Sequence, residues 1–437
     1  MQLPRMAEAS DPSPWLLRWQ GYLLGSAAQQ KRLGDLASIL LFLLLAGLPL
    51  FSRTGLGLVV LACGALWLLW SFSKPPDRLG GISGWLLLFL GIAVLATGFS
   101  PVPTAALKGL AKLLSYLGVY ALLRQLLAVR PDCWDRLMAA LLSGALLSDV
   151  LALRQLYAPT EELARWADPN SVAEGTIRIY GPLGNPNLLA GYLVPILPLA
   201  LVACIRWRGW GSRIFAATTF ILGSASVLFS YSRGGWLALV AALGLLMLLL
   251  VLRAIRHRPP VWKRLVPLAL LATVGVLMAL AVTQVDPIRT RVMSLLSGRG
   301  DSSNNFRINV WLAAIDMIQD RPWLGIGPGN AAFNSVYPLY QQPKFNALSA
   351  YSVPLELLVE TGIPGLIACI GLALTSVRRG LKALASDANM ALPCIGCLAA
   401  ITGLLVHGVA DTIFFRPEVQ ISGWFCLATL SQGCQRA

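Results

Sequence analysis

Long apolar runs, broken by short polar connections, fill most of this chain. Twelve of them are candidate spans: residues 36–51, 55–72, 82–99, 104–123, 137–157, 188–205, 214–230, 235–252, 265–283, 354–377, 391–410 and 419–433. Most come near the ~20 residues that cross a hydrocarbon core, and the last is the shortest. A lipid core admits only helices and closed barrels, so helix-length runs predict an all-α, polytopic membrane protein with about twelve transmembrane helices. Residues 1–35 form a basic N-terminal segment, 36–283 hold nine spans, 284–352 form a polar insertion, and 353–437 hold the last three spans.

The insertion is too long for a tether, and it carries a pattern of its own. Ile308, Trp311, Leu312 and Ile315 recur at i, i+3, i+4 and i+7, which predicts a helix with that stripe facing inward. Asn304 or Asn305 is placed to cap its start, and Asp320-Arg321-Pro322 to stop it. A second short helix is expected over residues 286–296, and 323–330 read as a glycine-rich turn. The insertion is therefore expected to be a helical cap. Near the N-terminus, Trp15, Leu16, Trp19, Tyr22 and Leu23 fall at helical spacing, the pattern of an interfacial amphipathic helix rather than a cleaved signal.

Charge then sets the orientation. Only 13% of residues are charged, about half the usual share for soluble proteins. The net charge of +15 sits in short clusters between apolar runs, a topology signal, and no nucleic-acid partner is expected. Lys74 and Arg78, Arg124 to Arg136, Arg206 to Arg213, Arg253 to Arg264, and Arg378 to Lys382 all fall on one side with the basic N-terminus. That side is expected to be cytoplasmic, in the inner membrane, with both termini there and the large loop periplasmic. Cys394 and Cys397 form a CxxC inside a span, which reads as helix packing. No metal or cofactor is expected.

Outward cations should be scarce under this rule, so those present stand out, among them Lys108, Lys112, Arg154, Arg178, Arg233, Arg307, Arg321 and Arg416. Arg233 sits in a tight turn, Ser230-Tyr231-Ser232-Arg233-Gly234-Gly235, between two spans. A docked anion, a carboxylate partner or snorkelling to headgroups would each account for it. Lys108 and Lys112 share a helix face and suit snorkelling. Arg178 precedes Gly181, Asn185, Pro186 and Asn187, whose turn opens a helix with its positive pole outward. Plain capping and an anion seat both fit that segment. Arg307 opens the cap helix, where a cation opposes the dipole. Glu360, two turns into the tenth span, needs a partner, and Arg233 or Arg307 is the natural one. His407 and Asp411, at i and i+4, can meet as a structural or proton-handling pair.

At these residues the chain resembles the O-antigen ligase-like membrane proteins. The likeness lies in the span order, the long outward insertion, and four motifs. These are Arg178 with Gly181 and Asn185-Pro186-Asn187; Ser232-Arg233-Gly234; Arg307 with Trp311 and Arg321-Pro322-Trp323-Leu324-Gly325-Ile326-Gly327; and Glu360-Thr361-Gly362 with Gly365. Within that superfamily the chain is most similar to the cyanobacterial IctB-type branch, described as inorganic-carbon (bicarbonate) transporters. Asn185 to Asn187, Ser349-Ala350-Tyr351-Ser352, and His407 to Asp411 running into Phe415-Arg416-Pro417 carry the closer likeness.

The resemblance implies a mechanism for the ligase members. Outward arginines hold the pyrophosphate of an undecaprenyl-linked donor, and a histidine activates the acceptor hydroxyl without a metal. By position, Arg178, Arg233 and Arg307 would be the anion or pyrophosphate ligands. Asn185, Asn187, Arg321, His407, Asp411 and Arg416 would support them. The histidine position holds Tyr351, and a phenol with a reference pKa near 10 is a poor general base at neutral pH. Tyr351 and Glu360 are the catalytic candidates, with His407–Asp411 as a substitute. Two functions stay open: an anion pocket that handles bicarbonate, and a glycosyltransferase for lipid-linked glycans. Beyond membrane lipid, the partner is bicarbonate or a polyprenyl-pyrophosphate-linked glycan. No pair of interrupted helices of the transporter kind stands out. Arg178, Arg233, Arg307, Tyr351 and Glu360 are expected in one outward pocket beneath the cap.

Overall fold

A computed structural model describes residues 27–73, 81–157, 178–284, 289, 293 and 298–433. The expected helix at residues 15–23, and most of segments 158–187 and 286–296, lie outside these. The described residues contain no strand. Five helices come first: α1 (Ala27–Gly47), α2 (Arg53–Ser73), α3 (Ile82–Gly98), α4 (Pro103–Val129) and α5 (Cys133–Arg154). After the break follow α6 (Pro186–Arg206), α7 (Trp210–Phe229), α8 (Arg233–Ala254) and α9 (Pro260–Gln284). The cap holds α10 (Ser302–Asp320) and the short α11 (Asn330–Val336), and α12 (Val353–Ala385), α13 (Ala391–Val409) and α14 (Pro417–Gln432) complete the bundle.

Each apolar run became helical, the tenth with a break, and eight of the described helices are long and apolar enough to cross a membrane. The protein is an all-α, polytopic membrane protein. Its outer faces carry Leu58, Leu69, Phe72, Ile221 and Leu268, all largely exposed, as lipid-facing helices require. The central pillar is α6, packed against α7, α8 and α13 and almost wholly buried, despite Pro195 and Pro198 inside it. Its start is fixed by Asn185, whose Oδ1 accepts from the Asn187 and Leu188 amides, with Pro186 at the first helical position. Cys394 and Cys397 are buried in α13, and the Cys394 thiol donates to Thr429 O.

The cap has its own apolar cluster, built on Val310, Ala314, Met317, Phe333 and Tyr337 and closed from below by Ala106 and Val359. Two expectations for its helix are corrected. Asp301 is the N-cap, accepting from the Asn304 amide, so the helix begins before Asn304 and Asn305. The buried stripe is Asn309, Val310, Ala313, Ala314 and Met317, while Leu312 and Ile315 face outward. Small alanines let α10 approach α12 closely, and that contact outweighs the larger side chains one position away.

The long helix α12 is broken at Gly362 (φ 67°, ψ −168°), a conformation restricted to glycine. The break frees carbonyls, and the glycine-rich turn of the cap fills them. Ile326 N–H donates to Val359 O at 2.8 Å and Gly327 N–H to Glu360 O at 3.0 Å, while Ile363 N–H donates to Pro322 O at 2.8 Å. A Cβ at Gly362 would overlap the Trp323 carbonyl, and one at Gly325 (φ 61°) the Val359 carbonyl. So a discontinuous helix exists among the described residues, stapled to the cap.

Candidate functional site

Helix ends on the cap side gather the three expected arginines. Arg178 lies before a 3-10 turn at Gly181–Leu183, and its Nε donates to Ser230 O at 3.0 Å. Its other arm donates to Asn187 Oδ1 at 3.1 Å, and Asn187 Nδ2 donates to Asp411 Oδ2 at 2.8 Å. Asp411 in turn pairs with Arg307 at 3.7 Å. Arg307 also donates to Ser303 Oγ, and its buried Nε has no partner among the described residues. Arg233, in the turn that follows Ser230, pairs with the buried Asp301 at 3.0 Å. Asp301 caps the helix that carries Arg307, so the three guanidiniums hang on one connected frame. Among the described residues, Asp301 and Asp411 are the carboxylates built into this frame.

Tyr351 borders this frame. Its φ of 49° is unusual for a residue with a side chain, and Tyr231 in the Arg233 turn shares that value. The ring meets Phe306 edge-on at 5.3 Å, and its carbonyl accepts from Trp311 Nε1 at 3.3 Å. Burial pushes the phenol above its ordinary pKa, Asp411 adds to this, and Arg307 opposes it. The neighbouring arginine therefore does not win, and Tyr351 holds its proton.

The other residues scatter. Glu360 is away from the arginines, which have taken Asp301 and Asp411 instead. It lines a cavity of about 290 Å³ with Lys112, Glu356, Tyr116, Phe414 and Trp424. Lys112 donates to Phe415 O at 2.7 Å. That cavity is mostly apolar and meets the arginine frame through the chain, since Val353 follows Tyr351 and Phe414 follows Asp411 within three residues. His407 is fully buried and neither ring nitrogen has a hydrogen-bond partner among the described residues. It does not bond Asp411, because α13 ends at Val409 and the i, i+4 geometry ends with it. Asn185 is spent on capping. Arg321 donates to Phe99 O and Arg416 pairs with Glu418, both outside the frame. Sequence reasoning missed Asp301 of the frame and Glu356 and Gln420 of the cavity lining. Asp301 carried a signal, an acidic residue before a serine pair at a helix start.

The residues that hold this geometry fall largely inside one segment with known relatives. Residues 218–370 match the O-antigen ligase family. The match supports the O-antigen ligase-like superfamily, and it runs from α7 to α12. It contains Arg233, Asp301, Arg307, Tyr351 and Glu360, while Arg178, Asn187, His407 and Asp411 lie outside it. No curated protein matches the chain.

Proposed function

We propose that this protein transfers a glycan from a lipid-linked pyrophosphate donor on the outer face of the inner membrane. The observation that carries the reading is a cationic frame whose near neighbours in the chain, Val353 and Phe414, line a mainly apolar cavity, as an amphiphilic anion would require. A three-oxygen anion has no use for the apolar part. The O-antigen ligase match supports the same class of substrate. In this reading the basic connections lie in the cytoplasm with both termini, and the cap lies in the periplasm.

Arg178, Arg233 and Arg307 hold the pyrophosphate, and charge-assisted hydrogen bonds fix its orientation. Asp301 and Asp411 keep the guanidiniums spread before the donor arrives. An acceptor hydroxyl attacks the anomeric carbon, and the bond from that carbon to the phosphate oxygen breaks. The hydroxyl proton passes to the Asp411 carboxylate, a role carboxylates fill in glycosyl chemistry. The polyprenyl pyrophosphate leaves as an anion on the arginines. Tyr351, which keeps its proton, donates a hydrogen bond to the leaving oxygen.

A second reading, a bicarbonate carrier, draws on the broken helix close by. A deletion strain separates the two. Transfer predicts accumulated lipid-linked oligosaccharide and reduced surface glycan, and unchanged pools overturn it. Bicarbonate uptake into proteoliposomes above that of empty vesicles, lost in Arg233→Ala, moves the assignment to the carrier.

A further inference from the structure

Neither reading uses a carboxylate sunk in the bundle. Asp149, on α5, is wholly buried, and both its oxygens lack a hydrogen-bond partner among the described residues. The same holds for the hydroxyls of Ser148 on α5, Tyr192 on α6, and Ser224 and Ser226 on α7. The carboxylate sits where these three helices meet. A Cβ added at Gly223 of α7 would lie 3.1 Å from Asp149 Oδ2 and 2.7 Å from Leu197 Cδ2 of α6. Ser226 faces the carboxylate, and Tyr192 lies within its field.

No cation among the described residues serves it, since none of their ion pairs includes Asp149. The elements packed on α5 are α1, α4, α6, α7 and the 3-10 turns at Gln155–Tyr157 and Gly181–Leu183. Tyr192 is the titratable group facing Asp149 from α6, and α7 presents hydroxyls. Lys31, Arg32 and Asp35 of α1, Arg206 of α6 and Arg213 of α7 lie at the far helix ends, as do Cys133 and Cys204. There Asp35 pairs with Arg130 and Arg206 with Asp135. On α4, Lys112 is tied to Phe415 O, Tyr120 to Ser83, and the Arg124 carbonyl to Gln432, while Lys108 and Tyr116 stand on the same helix. Arg154 is five residues on, at the end of α5, and Tyr157 in the first turn is exposed.

We propose that Asp149, Ser226 and Tyr192 form a binding site for one positive charge, a proton or a sodium-sized ion, just beneath the arginine frame. A buried carboxylate without a counter-ion is too costly to persist inside a membrane protein. One carboxylate among hydroxyl oxygens suits a single hard charge, whereas calcium sites gather several carboxylates. The link to the frame is one turn of backbone. Ser230 N–H donates to Ser226 O at 2.9 Å, and Ser230 O accepts from Arg178 Nε at 3.0 Å. Occupancy of the site therefore sets the end of α7 on which Arg178 hangs.

The test uses the full chain in nanodiscs, with sodium exchanged for choline at constant ionic strength and pH stepped from mildly acid to mildly alkaline. Tryptophan fluorescence gives the unfolding temperature, and infrared difference spectra give the carboxylic-acid carbonyl band. A sodium site predicts a rise in unfolding temperature with sodium and no such band at neutral pH. A proton site predicts a band that persists at neutral pH whatever the sodium. Asp149→Asn should abolish whichever response the wild type shows. Wild type and Asp149→Asn with identical responses and bands, or a wild type with neither, overturn the proposal. Should Asp149→Asn not fold, Ser226→Ala keeps the carboxyl and should shift the sodium or pH midpoint by about tenfold in concentration, the loss of roughly one hydrogen bond or ligand. An unshifted midpoint then overturns it.

Discussion

Asp301 has two duties, capping α10 and neutralising Arg233, and the two make it hard to replace. Removing Arg233 strands a carboxylate that is only 2% exposed. Arg233→Ala should therefore cost about 3 kcal/mol, the cost of breaking a buried pair from one side. Asp301→Asn keeps the cap and should cost less, and the double variant should be milder than the sum of the two. Thermal unfolding of all three proteins checks this, and an additive result would show that the pair does not couple. Tyr351 makes a pH prediction. Its folded phenol titrates above the unfolded value of about 10, so the associated stability is complete below that value and lost as pH rises through the folded pKa. Tyr351→Phe should remove that alkaline loss while leaving neutral-pH stability unchanged, as followed by unfolding across alkaline pH. At this scale the sequence disclosed the arginines but not their partners. Asp301 and Asp411 meet Arg233 and Arg307 across long chain separations, and periodicity carries no information about such contacts. Asp149 differs, since a lone carboxylate in an apolar run is itself a signal.

Two of the motifs behind the family likeness turn out to be one structural unit. The turn at residues 321–327 and the segment at 360–365 exchange hydrogen bonds across the break in α12. Gly362→Ala should cost about 1–3 kcal/mol from backbone strain alone, before the overlap with Trp323 O. Gly325→Ala strains the same staple from the other side. The two substitutions should be non-additive, because either one already opens the junction. Unfolding temperatures and proteolysis of the cap check this, and simple additivity would mean that the turn and the break are independent. Long apolar runs disclosed every bundle helix, because lipid demands them, but not every end: α1 starts well before its run and α12 continues well past its own. The cap helix was less legible. Its inward face is chosen by small residues that permit close contact with α12, and hydrophobicity alone ranks Leu312 and Ile315 above Ala313 and Ala314.

On the scale of the molecule, the cavity is what an experiment can use to distinguish the two proposed substrates. It runs between α3, α4, α12, α13 and α14, and Ala373 lines its wall. Ala373→Phe would occupy space that an apolar chain needs, without touching Arg178, Arg233 or Arg307. Lost contact with two or three methylenes is worth about 2 kcal/mol at ~0.8 kcal/mol each. That corresponds to roughly a thirtyfold rise in KM for a long-chain donor. A short-chain donor analogue, which does not reach the wall, should keep its KM, and bicarbonate flux would be indifferent. Kinetics with donors of two chain lengths therefore read the cavity separately from the frame. Equal effects on both donors would mean that the substitution acts through the fold. No effect on either would mean that the chain runs along the outer surface of the bundle and that the cavity serves something else.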